Sequence, residues 1–206
     1  MVSQDHYFSS APGSARTLGS VSFELGGQPV TLQASSGTFS ATRLDPGTAV
    51  LLEHHERIHG DTLVDVGCGW GPIAITLKHT QPHATVLAVD PNPRARELTG
   101  LNAESLGMHD IQVLSPDDVP DDLVVDQIWS NPPIRIGKDA LHTLLSTWFA
   151  RLSPEGEAWL VVAKNLGADS LQRWINSQEA GPFHAERVSS KKGYRVFVVT
   201  RSGDPY

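Results

Sequence analysis

From Asp61 onward the chain alternates short β-rich runs with longer helical patterns, and that alternation leaves few folds open. Strand patterns fall at 62–66, 85–89, 111–114, 124–129, 157–162 and 195–200. Helical patterns fall at 72–80, 93–106, 138–152 and 170–178, with another near 48–59. Strands joined through helices of this length lie parallel, with helices over both faces of the sheet. Right-handed crossovers then bring the strand carboxyl ends to one edge, where such sheets bind their ligands. The expected fold is therefore α/β, a doubly wound and mainly parallel sheet. Residues 1–47 read differently. Val21, Phe23 and Leu25 alternate with Ser22 and Glu24, Gly26-Gly27 supplies a turn, and Val30 and Leu32 flank Thr31. That is a hairpin pattern. A segment this short buries little by itself, so 1–47 is expected as a β extension of one structural unit over 48–206.

Composition excludes several classes of function. Sixteen Lys and Arg against 23 Asp and Glu leave a net charge of −7, which rules out a uniformly basic nucleic-acid coat but not a local basic patch. The single Cys excludes an internal disulfide framework and a Cys-based zinc knuckle, and it suits a reducing compartment. The opening Met-Val-Ser-Gln-Asp-His is no signal peptide, and the apolar run at 158–163 is far short of a membrane span. A cytoplasmic protein without a membrane partner is expected.

The first strand pattern after the hairpin, Leu63-Val64-Asp65-Val66, runs into Gly67-Cys68-Gly69-Trp70-Gly71, and Pro72 then opens a helix. Glycines here let the backbone turn sharply and approach a ligand closely, and a Pro at the first helical position forfeits no hydrogen bond. The spacing is G-x-G-x-G after an acid, not the G-x-G-x-x-G of dinucleotide enzymes. Nineteen residues beyond Gly71, the next strand ends at Asp90, where a carboxylate can accept both hydroxyl protons of a ribose. The alternative is a structural turn beside a solvent-facing Asp.

These residues resemble the class I S-adenosylmethionine-dependent methyltransferases, whose fold is Rossmann-like. The resemblance implies that Asp65 and the loop of Gly67, Cys68, Gly69 and Gly71 face the methionine part of S-adenosylmethionine. It also places Asp90 and Pro91 at the ribose and Asp117, after Ser115-Pro116, at the adenine amino group. Asp117 also belongs to an acidic run with Asp118, Asp121, Asp122 and Asp126, which equally suits a solvated loop.

The fourth parallel strand ends in Ser130-Asn131-Pro132-Pro133-Ile134. Two prolines cannot continue a central strand, so the backbone is forced into a stiff turn at the ligand-binding edge. The Asn131 side-chain oxygen and the Pro132 carbonyl become two fixed acceptors. An amine held by both would aim its lone pair at a methyl donor, and catalysis would rest on orientation and electrostatics. The tetrapeptide resembles the Asn-Pro-Pro-aromatic loop of amino-group methyltransferases, with Ile134 in place of the aromatic. Ile packs on a base face without π-stacking. The longer stretch through Arg135-Ile136-Gly137-Lys138 resembles the stand-alone relatives of the small-subunit ribosomal RNA guanine-N2 methyltransferases. His6-Tyr7-Phe8, Gly37-Thr38-Phe39-Ser40 with Asp45 and Gly47, and Lys192-Gly193-Tyr194-Arg195 carry the same resemblance. The long bacterial members hold a second, degenerate domain ahead of the catalytic one, and this sequence matches the catalytic half. The resemblance implies that Phe39 closes over the cofactor; a core residue under a loop is the alternative.

His55-Glu56-Arg57-Ile58-His59 is a literal H-E-x-x-H, the zinc-protease pattern. Gly60 follows at once and no third ligand motif appears, so an exposed helix end without metal is expected. Residues 187–201 contain Arg187, Lys191, Lys192, Arg195 and Arg201 and no acid. With Arg135 and Lys138 they form a candidate phosphate-binding edge, unless they are simply a solvated strand end. The reading is an N-methyltransferase acting on guanine-N2 of ribosomal RNA or the small subunit, with the target base extruded to reach Asn131. A protein glutamine or small amine as acceptor, and a non-catalytic cofactor-binding scaffold, are the alternatives.

Overall fold

A computed structural model describes residues 18–35, 42–177 and 179–202. Two strands, β1 (Leu18–Leu25) and β2 (Gln28–Ser35), form an antiparallel hairpin. The remaining strands are β3 (Thr62–Val66), β4 (Thr85–Val89), β5 (Gln112–Leu114), β6 (Val125–Ser130), β7 (Leu152–Ala163), β8 (Phe183–Lys191) and β9 (Tyr194–Arg201). They make one seven-stranded sheet in the order β5-β4-β3-β6-β7-β9-β8. Pairing is parallel from β5 through β7, while β9 runs antiparallel to both β7 and β8. This is the expected doubly wound sheet, with an antiparallel hairpin at one end.

The helices are α1 (Pro46–Leu52), α2 (Pro72–Thr80), α3 (Pro93–Ser105), α4 (Lys138–Phe149) and α5 (Ala168–Asn176). Three begin with Pro at the first position, where the missing N–H is no loss. Two core clusters follow from this layering. On one face Trp70, Leu98, Trp129 and Trp159 pack with Val21, Leu25, Leu32 and Ala34 of the hairpin. On the other, Leu141, Leu145, Phe149, Leu171 and Ile175 of α4 and α5 cover Val64, Ile128 and Leu160. The hairpin is thus a separate sheet by pairing but shares a core with the larger one.

Three expectations shift. The helix expected near 48–59 ends at Leu52, and a 3-10 turn at His55–Arg57 follows. Glu53-His54-His55-Glu56-Arg57 offers no aliphatic side chain to bury until Ile58, which is extended at φ −72. The H-E-x-x-H residues therefore do not share a helix, and His59 lies 3.7 Å from Glu157. Helix α4 ends at Phe149, and the buried Leu152 opens β7 rather than closing the helix. Strand β8 was not anticipated. Its half-exposed run, with only Phe183 and Ala185 buried, carries a weak alternation. No helix among the described residues is long and apolar enough to cross a membrane.

Candidate active site

Strand order reverses between β3 and β6, which opens a crevice at their carboxyl ends. The two motif loops leave from these strands, and the Ser130 hydroxyl donates to the Val66 carbonyl at 2.6 Å, tying them together. Residues 64 positions apart in sequence thus meet at one point.

On the β3 side, Gly67, Gly69 and Gly71 all have positive φ, at 81°, 59° and 95°. Gly67 faces open space, with nothing within 4 Å of where a Cβ would stand. At Gly71 a Cβ would come within 3.0 Å of the Thr99 methyl. Asp65 is fully buried behind the loop; its Oδ2 accepts the Ala74 N–H of α2 at 2.9 Å, and its Oδ1 has no hydrogen-bond partner. Burial pushes its carboxyl up to about 8, against the Ala74 hydrogen bond and with a further push from Asp90. Cys68, also buried, has its thiol raised well above the usual value, chiefly by burial, so it is a small apolar packing residue and no ready nucleophile.

Asp90 follows β4 directly and turns back on the glycine loop. Its Oδ2 accepts the Gly69 N–H at 3.0 Å and its Oδ1 the Asn92 N–H at 2.8 Å. The Pro91 carbonyl accepts from Arg96, as does the Asp90 carbonyl. Asp117 lies exposed in a 3-10 turn at Pro116–Asp118, directly after β5. The acidic run around it divides: Asp126 holds the Asp61 and Thr62 N–H groups at 2.8 and 3.0 Å, at the opposite end of the strands.

On the β6 side, Pro132 is buried and Asn131 half-buried. Pro133, at φ −75 and ψ 74, centres an inverse γ-turn in which Ile134 N–H donates to the Pro132 carbonyl at 2.8 Å. One lone pair of that carbonyl is taken and one is left. The Asn131 amide donates to Asp45 Oδ2 at 2.8 Å and to Thr48 Oγ1 at 3.1 Å, so its oxygen remains available as an acceptor. Ile134 packs toward the α4–α5 face and lines a cleft of about 240 Å³ with Lys138, Leu141, His142, Leu166 and Leu171.

The candidate RNA edge separates into free and engaged cations. Arg135 and Lys138 are exposed just past the turn. Lys192 sits at the tip of the β8–β9 hairpin with φ 51, and the Gly193 carbonyl accepts from Lys164 N–H, which brings this tip to the strand carboxyl ends. Lys191 is paired with Glu53 at 2.7 Å, and Arg195 with Asp169. Phe39, with His6-Tyr7-Phe8 and Gly37-Thr38, falls outside the described residues. Among the described residues no group of His, Cys, Asp and Glu is placed to hold a metal.

A family model described as Methyltransferase small domain matches residues 29–198. The chain belongs to that family. Within it, Uncharacterized protein YbxB of Bacillus subtilis is 33% identical over 197 residues, covering 93% of this chain and 96% of that one. Ribosomal RNA small subunit methyltransferase C of Hahella chejuensis is 40% identical over 188 residues, and the chain spans 53% of its length. Among solved structures, the T. Thermophilus 16S rRNA N2 G1207 methyltransferase (RsmC), in complex with AdoMet and guanosine, superposes with a TM-score of 0.75. It is 23% identical, over 93% of this chain and 52% of that one. The fold is shared with it.

In this Methyltransferase small domain, several residues that support the site escaped the sequence reading. Thr99 donates to the Gly69 carbonyl at 3.0 Å. Asn102 donates to the Trp70 carbonyl at 2.8 Å and exchanges two hydrogen bonds with Gln33 of the hairpin. Helix α3 therefore braces the glycine loop from behind and pins β2 to it. The available signal was weak: Thr99 and Asn102 are one turn apart on the buried face of α3 and are polar where its other buried residues, Ala95, Leu98 and Ala103, are apolar. Thr48 carried no signal, since its partner is 83 residues away.

Proposed function

We propose that this chain transfers a methyl group from S-adenosylmethionine to guanine-N2 of small-subunit ribosomal RNA. The observation that carries the reading is the juxtaposition of the two loops: the glycine loop with buried Asp65 lies across one strand boundary from Asn131-Pro132, with both polar acceptors of the latter available. The residues present suit the cofactor. Asp65 Oδ1 is a buried carboxyl oxygen without a partner, and the space before Gly67 is open. Asp65, Gly67, Gly69 and Asp90 would hold it, with Pro91 and Asp117 at its nucleoside end. When bound, S-adenosylmethionine supplies an electrophilic methyl group.

The chain's own residues then orient the acceptor. Asn131 Oδ1 and the remaining lone pair of the Pro132 carbonyl take the two hydrogens of an exocyclic amine, and the nitrogen lone pair is left to attack. No base is needed before transfer, since the amine is neutral and its proton leaves afterwards to water. Ile134 supplies an apolar contact for the base. Arg135, Lys138 and Lys192 are the cations left for phosphates; Lys191 and Arg195 act through the hairpin they brace against Glu53 and Asp169. The relatives named for small-subunit ribosomal RNA support RNA of that subunit as the substrate.

The test incubates the protein and labelled S-adenosylmethionine with deproteinised small-subunit RNA, intact small subunits and a protein fraction, and maps the label by mass. Label on guanine-N2 is the expected result. Label on a protein glutamine or small amine would replace the acceptor, and cofactor binding without transfer to any fraction would favour a scaffold.

A further inference from the structure

The catalytic acceptor Asn131 Oδ1 is only useful if the amide cannot turn over. A primary amide presents an acceptor at one end and two donors at the other, and rotation about its last bond exchanges them at little intrinsic cost. In this structure both donors are engaged from the same side, by Asp45 Oδ2 at 2.8 Å and Thr48 Oγ1 at 3.1 Å. A carboxylate such as that of Asp45 can only accept. An amide turned the other way would bring two oxygens together at that distance, so the carboxylate decides which end of Asn131 faces the crevice. Among the described residues no other group bonds the Asn131 side chain, and Oδ1 is left for a substrate hydrogen.

The holder is itself held. Asp45 caps α1, its Oδ2 also accepting the Thr48 N–H at 3.0 Å. Gly47 lets the Tyr194 ring close against it: a Cβ at 47 would come within 2.8 Å of that ring and 2.9 Å of Asp45 Oδ2. The Tyr194 hydroxyl is raised by burial and next by the Asp45 charge, which fits a carboxylate packed beside the ring. Thr48 is 4% exposed and has no freedom to swing away.

We propose that Asp45 and Thr48 are positioning residues that lock the Asn131 amide with its oxygen toward the acceptor amine. The proposal rests on the methyl-transfer reading above and adds to it a second, sequence-distant component of the catalytic machinery.

The discriminating variant is Asp45→Ser. Serine caps a helix about as well as aspartate, so α1 is kept, but its shorter side chain cannot serve Thr48 N–H and Asn131 together. Misplacing a reacting group by about 1 Å costs on the order of 100-fold, so kcat should fall about 10- to 100-fold. KM for S-adenosylmethionine and the melting temperature should stay unchanged. Asp45→Asn, whose carbonyl oxygen can accept both hydrogens, should recover to within a few-fold of wild type. Thr48→Ser should be near wild type, whereas Thr48→Val should lose several-fold. In an Asn131→Ala background, Asp45→Ser should add nothing. Additive losses there, or a wild-type kcat in Asp45→Ser, would overturn the proposal.

A readout free of substrate separates this idea from the function it rests on. The Asn131 side-chain NH2 resonances, assigned by their loss in Asn131→Ala, should be shifted and protected from exchange in the wild type. They should move to solvent-exposed values in Asp45→Ser. If wild type methylates no RNA, subunit or protein fraction yet shows the protected amide, the functional reading fails while the lock stands. An unprotected wild-type amide would overturn the lock whatever the activity.

Discussion

The two sides of the crevice are built in different ways. The side proposed for the cofactor is backbone: Gly67, Gly69 and Gly71 at positive φ, Asp90 and Asp65 bonded to nearby N–H groups, and Thr99 and Asn102 holding carbonyls. Its parts come from one strand–loop–helix–strand stretch with α3. The side proposed for the substrate is side chain on side chain between segments more than 80 residues apart, Asp45 and Thr48 against Asn131, with Lys192 of the β8–β9 hairpin at the same edge. A ligand read through backbone groups needs a local motif with special φ values. A ligand read through a single oriented amide needs the whole fold to bring its supports together.

The sharpest way to break this contrast is Asn131→Ala. Removing one preorganised acceptor should lower methyl transfer by about 100- to 1,000-fold, with S-adenosylmethionine affinity by calorimetry nearly unchanged. A matched loss of cofactor affinity would show that the two sides are one. Gly71→Ala tests the opposite side. A side chain at φ 95 and within 3.0 Å of Thr99 should destabilise the fold by about 1–2 kcal/mol, read from urea denaturation, and should weaken cofactor binding with it.

Asp65 offers a third test, through pH. Its carboxyl is raised from 3.8 to about 8 in the folded chain, so the folded state holds the proton more tightly than the unfolded one. The stability this confers is complete below about pH 4 and is lost as pH rises through about 8. Cofactor-free protein should therefore become less stable across that window, and Asp65→Asn should flatten the slope in urea denaturation at pH 5 to 8. A slope that survives the substitution would assign it to other groups. The smallest effects belong to the rim. Lys192→Ala should reduce the salt dependence of RNA binding by about one unit of slope. Lys191→Ala should change it less, because that ammonium is already paired with Glu53.

Legibility in the sequence follows the same division. Strands 62–66 and 85–89 and helix 72–80 were readable with the bounds the structure shows, because buried parallel strands are continuous apolar runs and Pro72 after Gly71 marks a helix start. Asn131-Pro132-Pro133 was readable for the same reason: prolines at a strand end dictate their own backbone. Strand β8 was not, since an exposed edge alternates weakly. The extent of the helix after Pro46 was not, since its end depends on what Leu52 and Ile58 find to pack against.

What the sequence alone determined is the parallel part of the sheet, its order of motifs and the residue types each loop can offer, all of which arise from short-range sterics and apolar periodicity. Only the tertiary structure decided which polar groups remain available. It paired Lys191 with Glu53 and Arg195 with Asp169, and placed Asp126 at the far end of the strands from Asp90. It also set the carboxylate that caps α1 against the Asn131 nitrogen, leaving the amide oxygen without a partner among the described residues. A hydrogen bond depends on atoms about 3 Å apart, and no local pattern records which distant residue will come that close.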